Sequence, residues 1–184
     1  MSLEITQKQK EVYYQETGIN IDPITEQEIN SVAKYAKSIG LTFTFDKNPE
    51  QIEYCNNICY LSQSSYELDL VEFMIHNLCH YIVASPSRRE MADFGLGNSP
   101  DTHNYEVERY TSSLVAELEE RLTIKLTSYF FKFLKIRNEP SLIQKQHAFN
   151  YDVEQILVKM NVLDSNKQLT HKLRAISDEE IYSK

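Results

Sequence analysis

The apolar positions along this chain change period several times, and each change marks an element. Ile29, Val32, Ala33, Ala36 and Ile39 recur at three- and four-residue spacing until Gly40 interrupts them, which is one face of an α-helix. Thr25-Glu26-Gln27-Glu28 reads as its capping-box start. Leu41-Thr42-Phe43-Thr44-Phe45 then alternates as a strand with one buried face does, and Asp46-Lys47-Asn48-Pro49 supplies a turn. A second strand is expected between Ile52 and Leu61, with Asn56-Asn57 able to divide it into a short hairpin. From about Tyr66 to Ala84, ahead of Pro86, the residues Leu68, Leu70, Val71, Phe73, Met74, Ile75, Leu78, Ile82 and Val83 surround a helix axis. A helix that is apolar on nearly all sides is a buried central helix.

Beyond a loop through Gly95, Gly97 and Pro100, a long helical stretch is predicted from near Tyr105 to about Ile136, with one break allowed. Its apolar stripe is Val107, Thr111, Leu114, Leu118 and Leu122, and Glu139-Pro140 ends it. A further helix is predicted around Val153 to Val162 and a weaker one around Leu169 to Ile176. The expected fold is α+β and mainly helical, a small sheet packed on a buried central metal-binding helix in the manner of a zincin-like minimal core. No repeat, low-complexity linker or shift in composition marks a boundary, so residues 1–184 are expected to form a single domain around one core.

Composition narrows the function classes. With 41% hydrophobic and 25% charged residues the chain is of the ordinary globular kind. A formal net charge of -8 argues against a nucleic-acid partner, because phosphate neutralisation needs a basic face; local clusters such as Arg88-Arg89 remain. The amino terminus shows no apolar signal core, and His76, His80, Lys132 and Lys135 interrupt the longest apolar stretches, so neither export nor a membrane span is expected. Three cysteines, Cys55, Cys59 and Cys79, without C-x-x-C spacing fit a reducing cytoplasm.

The chemistry concentrates on the central helix. His76 and His80 stand four residues apart, which brings both imidazoles to one face, a turn from each other, where they can converge on one metal ion. In a hydrolytic H-E-x-x-H helix a glutamate follows the first histidine; here it is Asn77. Asparagine cannot take a proton from metal-bound water at neutral pH, which forfeits a contribution of about 10²–10⁴-fold. A peptidase is therefore the least favoured enzyme. Two histidines and one carboxylate also form the facial triad of non-haem iron(II) oxygenases, in which the iron rather than a protein base activates oxygen. The third ligand is sought among Glu90, Asp93, Asp101, Glu106 and Glu108, of which the last two flank the helical stripe on opposite sides, and helical phase does not choose between them.

Each of these residues also has a plain structural reading. The two histidines can be core residues bonded to backbone or tyrosine. Glu72, one turn before His76, is either an acceptor for an imidazole N–H or a surface charge. Arg88 and Arg89 either bind an anionic group or pair with Glu90 and Asp93. His103 is a fourth ligand, a substrate contact or an exposed loop residue. Cys79 faces away from the histidines and reads as core.

Taken together, His76-Asn77-Leu78-Cys79-His80, Ala84, Arg88-Arg89-Glu90, Asp93-Phe94-Gly95 and Pro100-Asp101 resemble the elongation factor P hydroxylases, bacterial enzymes that hydroxylate the modified lysine of elongation factor P. The resemblance spans roughly residues 72 to 120. It implies metal ligands at His76, His80 and Glu108, with Glu108 preferred over Glu106 because it precedes Leu114 as the family's glutamate precedes its leucine. It implies iron(II) as the metal, with zinc(II) as the alternative, and a protein substrate akin to elongation factor P. Asn77, Arg88 and Asp101 are the candidate catalytic residues. The chain departs from the family at Asn77, at Leu96-Gly97-Asn98 where the family has aromatic residues, and in lacking the basic residue after Pro100-Asp101. The expected function is a metal-dependent hydroxylase or monooxygenase. The alternatives are a catalytically degenerate zincin-like metal-binding protein serving as an interaction module, and a structural protein without metal.

Overall fold

A computed structural model describes residues 5–46, 52–61, 69–97, 109–141 and 151–170. These residues form a mainly helical α+β fold with one small three-stranded sheet. The first helix, α1 (Gln7–Thr17), is one the apolar spacing does not announce, because Tyr13 is its only buried residue. Its signal lies in the ends: Thr6 and Gln9 form a capping box, and Gly18 closes it at φ 72, a conformation glycine adopts without penalty.

Helix α2 (Pro23–Ser38) starts before the expected Thr25 box. Asp22 is the cap, accepting from the Thr25 N–H at 2.7 Å, and Pro23 opens the first turn, where its missing N–H costs nothing. The buried face of Ile29, Val32 and Ala36 is the one the spacing predicts.

Strand β1 (Thr42–Thr44) follows, then β2 (Tyr54–Cys55) and β3 (Ile58–Tyr60), in the spatial order β1-β3-β2. β1 runs parallel to β3, with Phe43 opposite Cys59, and β2 pairs antiparallel with β3. Asn56 and Asn57 do divide the second strand. Both have positive φ, 50 and 63, which gives a two-residue turn the twist that a tight hairpin requires.

Helix α3 (Leu70–Val83) is the buried centre of the fold. Asp69 caps it by accepting from the Glu72 N–H at 2.9 Å, so it begins at Leu70 rather than at Tyr66. Every residue in it except His76 is buried. It packs between α2 and α4 (Ser113–Leu134), and its apolar residues share one core with Phe43, Tyr54 and Cys59 of the sheet.

Helix α4 corrects the sequence reading in two ways. It begins at Ser113 behind a Ser112 cap instead of near Tyr105, because Arg109, Tyr110 and Thr111 are not helical. It ends at Leu134, where Lys135 turns left-handed before Glu139-Pro140 is reached. Of the expected stripe, Leu122 is fully buried and Leu118 packs on the core, whereas Leu114 is 75% exposed and Val107 lies outside the described residues; the buried face runs on through Glu119, Thr123, Ile124, Leu126, Thr127, Phe130 and Phe131. Helix α5 (Tyr151–Lys159) packs on α4. Leu169 makes a bridge to Leu163 instead of starting a helix, and the rest of that predicted helix lies outside the described residues.

Candidate metal centre

The site forms where α3 crosses α4. Helical spacing stacks His76 and His80 on one face of α3, their ring centroids 4.6 Å apart and nearly perpendicular, which brings the two Nε2 atoms within 3.1 Å of each other. From α4, Glu120 reaches both rings: its carboxylate oxygens lie 3.5 Å from His76 Nε2 and 3.2 Å from His80 Nε2. Among the described residues, His76, His80 and Glu120 form the group of potential metal donors.

These separations fit a single bound ion. Histidine nitrogen and carboxylate oxygen sit about 2.0–2.2 Å from a zinc-sized ion, so two donors at right or tetrahedral angles to it are about 3.0–3.4 Å apart. The separations of 3.1 Å between the two Nε2 atoms and 3.2 Å from His80 to one Glu120 oxygen fall in that range, and the 3.5 Å from His76 to the other oxygen lies just above it. The electrostatics agree. Burial would draw the His80 imidazolium down, but Glu119 and Glu120 outweigh it and push His80 up to about 9. Partial desolvation would raise the Glu120 carboxyl, yet hydrogen bonds and charge from His76 and His80 hold it well below the ordinary carboxylate range. The cluster favours a positive charge at its centre, which a proton supplies in the free protein and a divalent ion could supply in its place.

Other expected positions sort as follows. Glu106, Glu108, Asp101 and His103 lie outside the described residues. The carboxylate that meets the histidines is Glu120, which is not among the candidates Glu90, Asp93, Asp101, Glu106 and Glu108. A signal for it existed: Phe130, Leu126 and Leu122, followed back one more turn, lead to Glu119 on the inward side with Glu120 beside it. Asn77 is buried beside His76, and its side-chain N–H donates to the Phe73 carbonyl at 3.1 Å, so its amide donor is engaged by its own helix. Glu72 is buried, not a surface charge, and accepts from the Ser141 hydroxyl at 2.8 Å. Cys79 is core, as expected, and burial pushes its thiol far up.

Arg88 is only 3% exposed, and its buried partner is Glu119, a residue the sequence did not single out. The other guanidinium nitrogen donates to the Phe94 carbonyl at 2.6 Å. Arg89 donates to the Tyr81 carbonyl at 3.0 Å and lies over the Tyr81 ring. Asp93 and Phe94 both have positive φ, 41 and 56, a strained conformation for residues with a Cβ. The strain is held by the Tyr54 N–H, which donates to the Asp93 carboxylate at 3.2 Å, and by Arg88. Its result is a stack: Phe94 lies on Tyr54 at 3.7 Å and on His80 at 5.4 Å, nearly parallel to both.

No protein-family model, curated protein or solved structure matches the chain.

Proposed function

We propose that this protein binds a divalent transition metal through His76, His80 and Glu120 and acts as a non-haem iron(II) hydroxylase or monooxygenase, with a protein side chain as the substrate class. The carrying observation is the convergence of two imidazole nitrogens and one carboxylate from two helices at ligand separations. Three protein donors leave coordination positions open, and in such a set iron(II) supplies the oxygen chemistry that Asn77 does not have to assist as a base. The resemblance of residues 72 to 120 to the elongation factor P hydroxylases supports the same class, with Glu120 taking the ligand role expected of Glu108.

The chain's own residues divide the work by position. His80, 6% exposed, lies on the inner side of the site. Glu120, with 44% of its side chain exposed, lies on the side from which a substrate can approach. Asn77 has its amide N–H tied to the helix and retains its carbonyl oxygen as an acceptor. A zinc-binding module is the second reading. It is favoured by Asn77 itself, whose amide offers no general base at the position a hydrolase would use.

Anaerobic purification with metal analysis tests the proposal. One equivalent of iron(II) or zinc(II) is expected in the wild-type protein and none in His80→Ala or Glu120→Ala, while Glu108→Ala retains it. Equal metal in all four proteins rejects the site. Oxygen consumption by the iron-loaded protein with lysine-bearing protein substrates separates the two readings, and its absence favours the zinc module.

A further inference from the structure

Resting on the metal-site reading above, we propose that Glu119 and Arg88 are positioning residues that hold His80 in the tautomer with Nδ1 protonated and Nε2 free to bind the ion. Glu119 is fully buried in the middle of α4, and its Oε1 faces His80 Nδ1 at 3.5 Å. Both atoms are buried, and neither makes a hydrogen bond among the described residues, so each is the complementary group that the other faces. An ionised carboxylate only accepts, so the imidazole nitrogen facing it carries the proton. A neutral imidazole has one N–H, and the lone pair is then left on Nε2, the nitrogen that meets His76 Nε2 and Glu120.

The carboxylate cannot turn away. Its second oxygen is held by Arg88, whose other nitrogen is anchored on the Phe94 carbonyl, and the Phe94 ring covers one face of His80. Arg88 thus ties together the two groups that fix His80, one at its edge and one on its face. A carboxylate that orients a metal-binding histidine raises its basicity and restricts its rotation, and loss of such a partner weakens metal affinity by about ten- to a hundredfold. His76 has no such support: its Nδ1 is buried without a hydrogen-bond partner among the described residues.

The test uses the full chain loaded with cobalt(II) or zinc(II). Because a buried arginine left without its carboxylate is strongly destabilising, the informative variant is Arg88→Leu with Glu119→Leu, which leaves neither charge buried alone. The double variant is expected to keep the wild-type fold by circular dichroism, to bind cobalt(II) about ten- to a hundredfold more weakly, and to show a changed cobalt absorption spectrum. Arg88→Leu with Glu119→Gln, which keeps an acceptor oxygen and buries no unpaired charge, is expected to recover part of the affinity. Nitrogen NMR of the zinc form is expected to show His80 bound through Nε2 with a proton on Nδ1. Coordination through Nδ1, or a double variant with wild-type affinity and spectrum, overturns the proposal while the site stands, provided His80→Ala still abolishes binding. Wild-type protein that binds neither metal overturns both.

Discussion

The two histidines of α3 share a helix and a face, yet their surroundings differ. His80 is enclosed: Glu119 faces one nitrogen, Glu120 and His76 the other, and Phe94 lies on its ring. His76, one turn earlier, is the only residue of the helix that is not buried, and its Nδ1 lacks a partner among the described residues. A site built this way has a fixed inner wall and an adaptable outer one. In the proposed metal site the inner wall would set where an ion sits, and the outer side would be where exchange of ligands costs least. The difference arises from the residues after α3, because the loop from Ser85 to Leu96 folds back over His80 and delivers both Arg88 and Phe94 to it.

The largest expected effect breaks the inner wall. Arg88→Ala leaves the Glu119 carboxylate buried without its arginine and facing only His80, which is expected to destabilise the fold by about 3–5 kcal/mol in urea denaturation. An unfolding midpoint equal to wild type would show the pair to be dispensable. Leu122→Ala, in the core under the same helix, is expected to lose about 2–5 kcal/mol, whereas Leu114→Ala, at a 75%-exposed position of the expected stripe, is expected to stay within about 0.5 kcal/mol. Similar losses at the two positions would restore the sequence-based stripe.

A smaller effect addresses the stack. Phe94→Leu keeps an apolar side chain over His80 but removes the ring contacts, so a loss of about 0.5–1.5 kcal/mol is expected in thermal unfolding, together with weaker metal binding. Substitution that leaves metal affinity untouched would confine Phe94 to packing.

The smallest effect lies away from the site, where Glu154 of α5 pairs with Lys125 and Lys167 and accepts from Tyr129. Lys167 and Lys125 lower its carboxyl from 4.5 to about 2. Because the folded value is depressed, the stabilisation is present above the unfolded value and is lost as pH falls from about 4.5 through about 2. Melting curves of wild type and Glu154→Gln should therefore differ at neutral pH and converge below pH 2, with metal affinity at neutral pH unchanged. Curves that remain equally separated at every pH would assign the difference to another cause.

Much of this is legible in the chain, and what is not has a physical explanation. The all-round apolar character of Leu70 to Val83 makes that helix central, and the spacing of His76 and His80 sets them on one face regardless of what packs against it. Asn56-Asn57 announces its hairpin because few other residues accept positive φ twice in succession. Arg88 and Asp93-Phe94 are visible as a spaced series, but their purpose is not, since Arg88 meets its carboxylate 31 residues further on.

Glu119 and Glu120 mark the boundary most sharply. In the sequence they are two more charges on an acidic, polar stretch of helix, and local pattern assigns such residues to solvent. Only the crossing of α4 over α3 turns one of them wholly inward and brings the other to both imidazoles. Local periodicity fixes which residues share a face of their own helix, while the rotation of one helix against another is decided by how the whole core fills. The sequence by itself therefore determined the histidine pair and the buried helix that carries it. The tertiary structure decided which carboxylate meets both imidazoles and which arginine meets the buried carboxylate beside it.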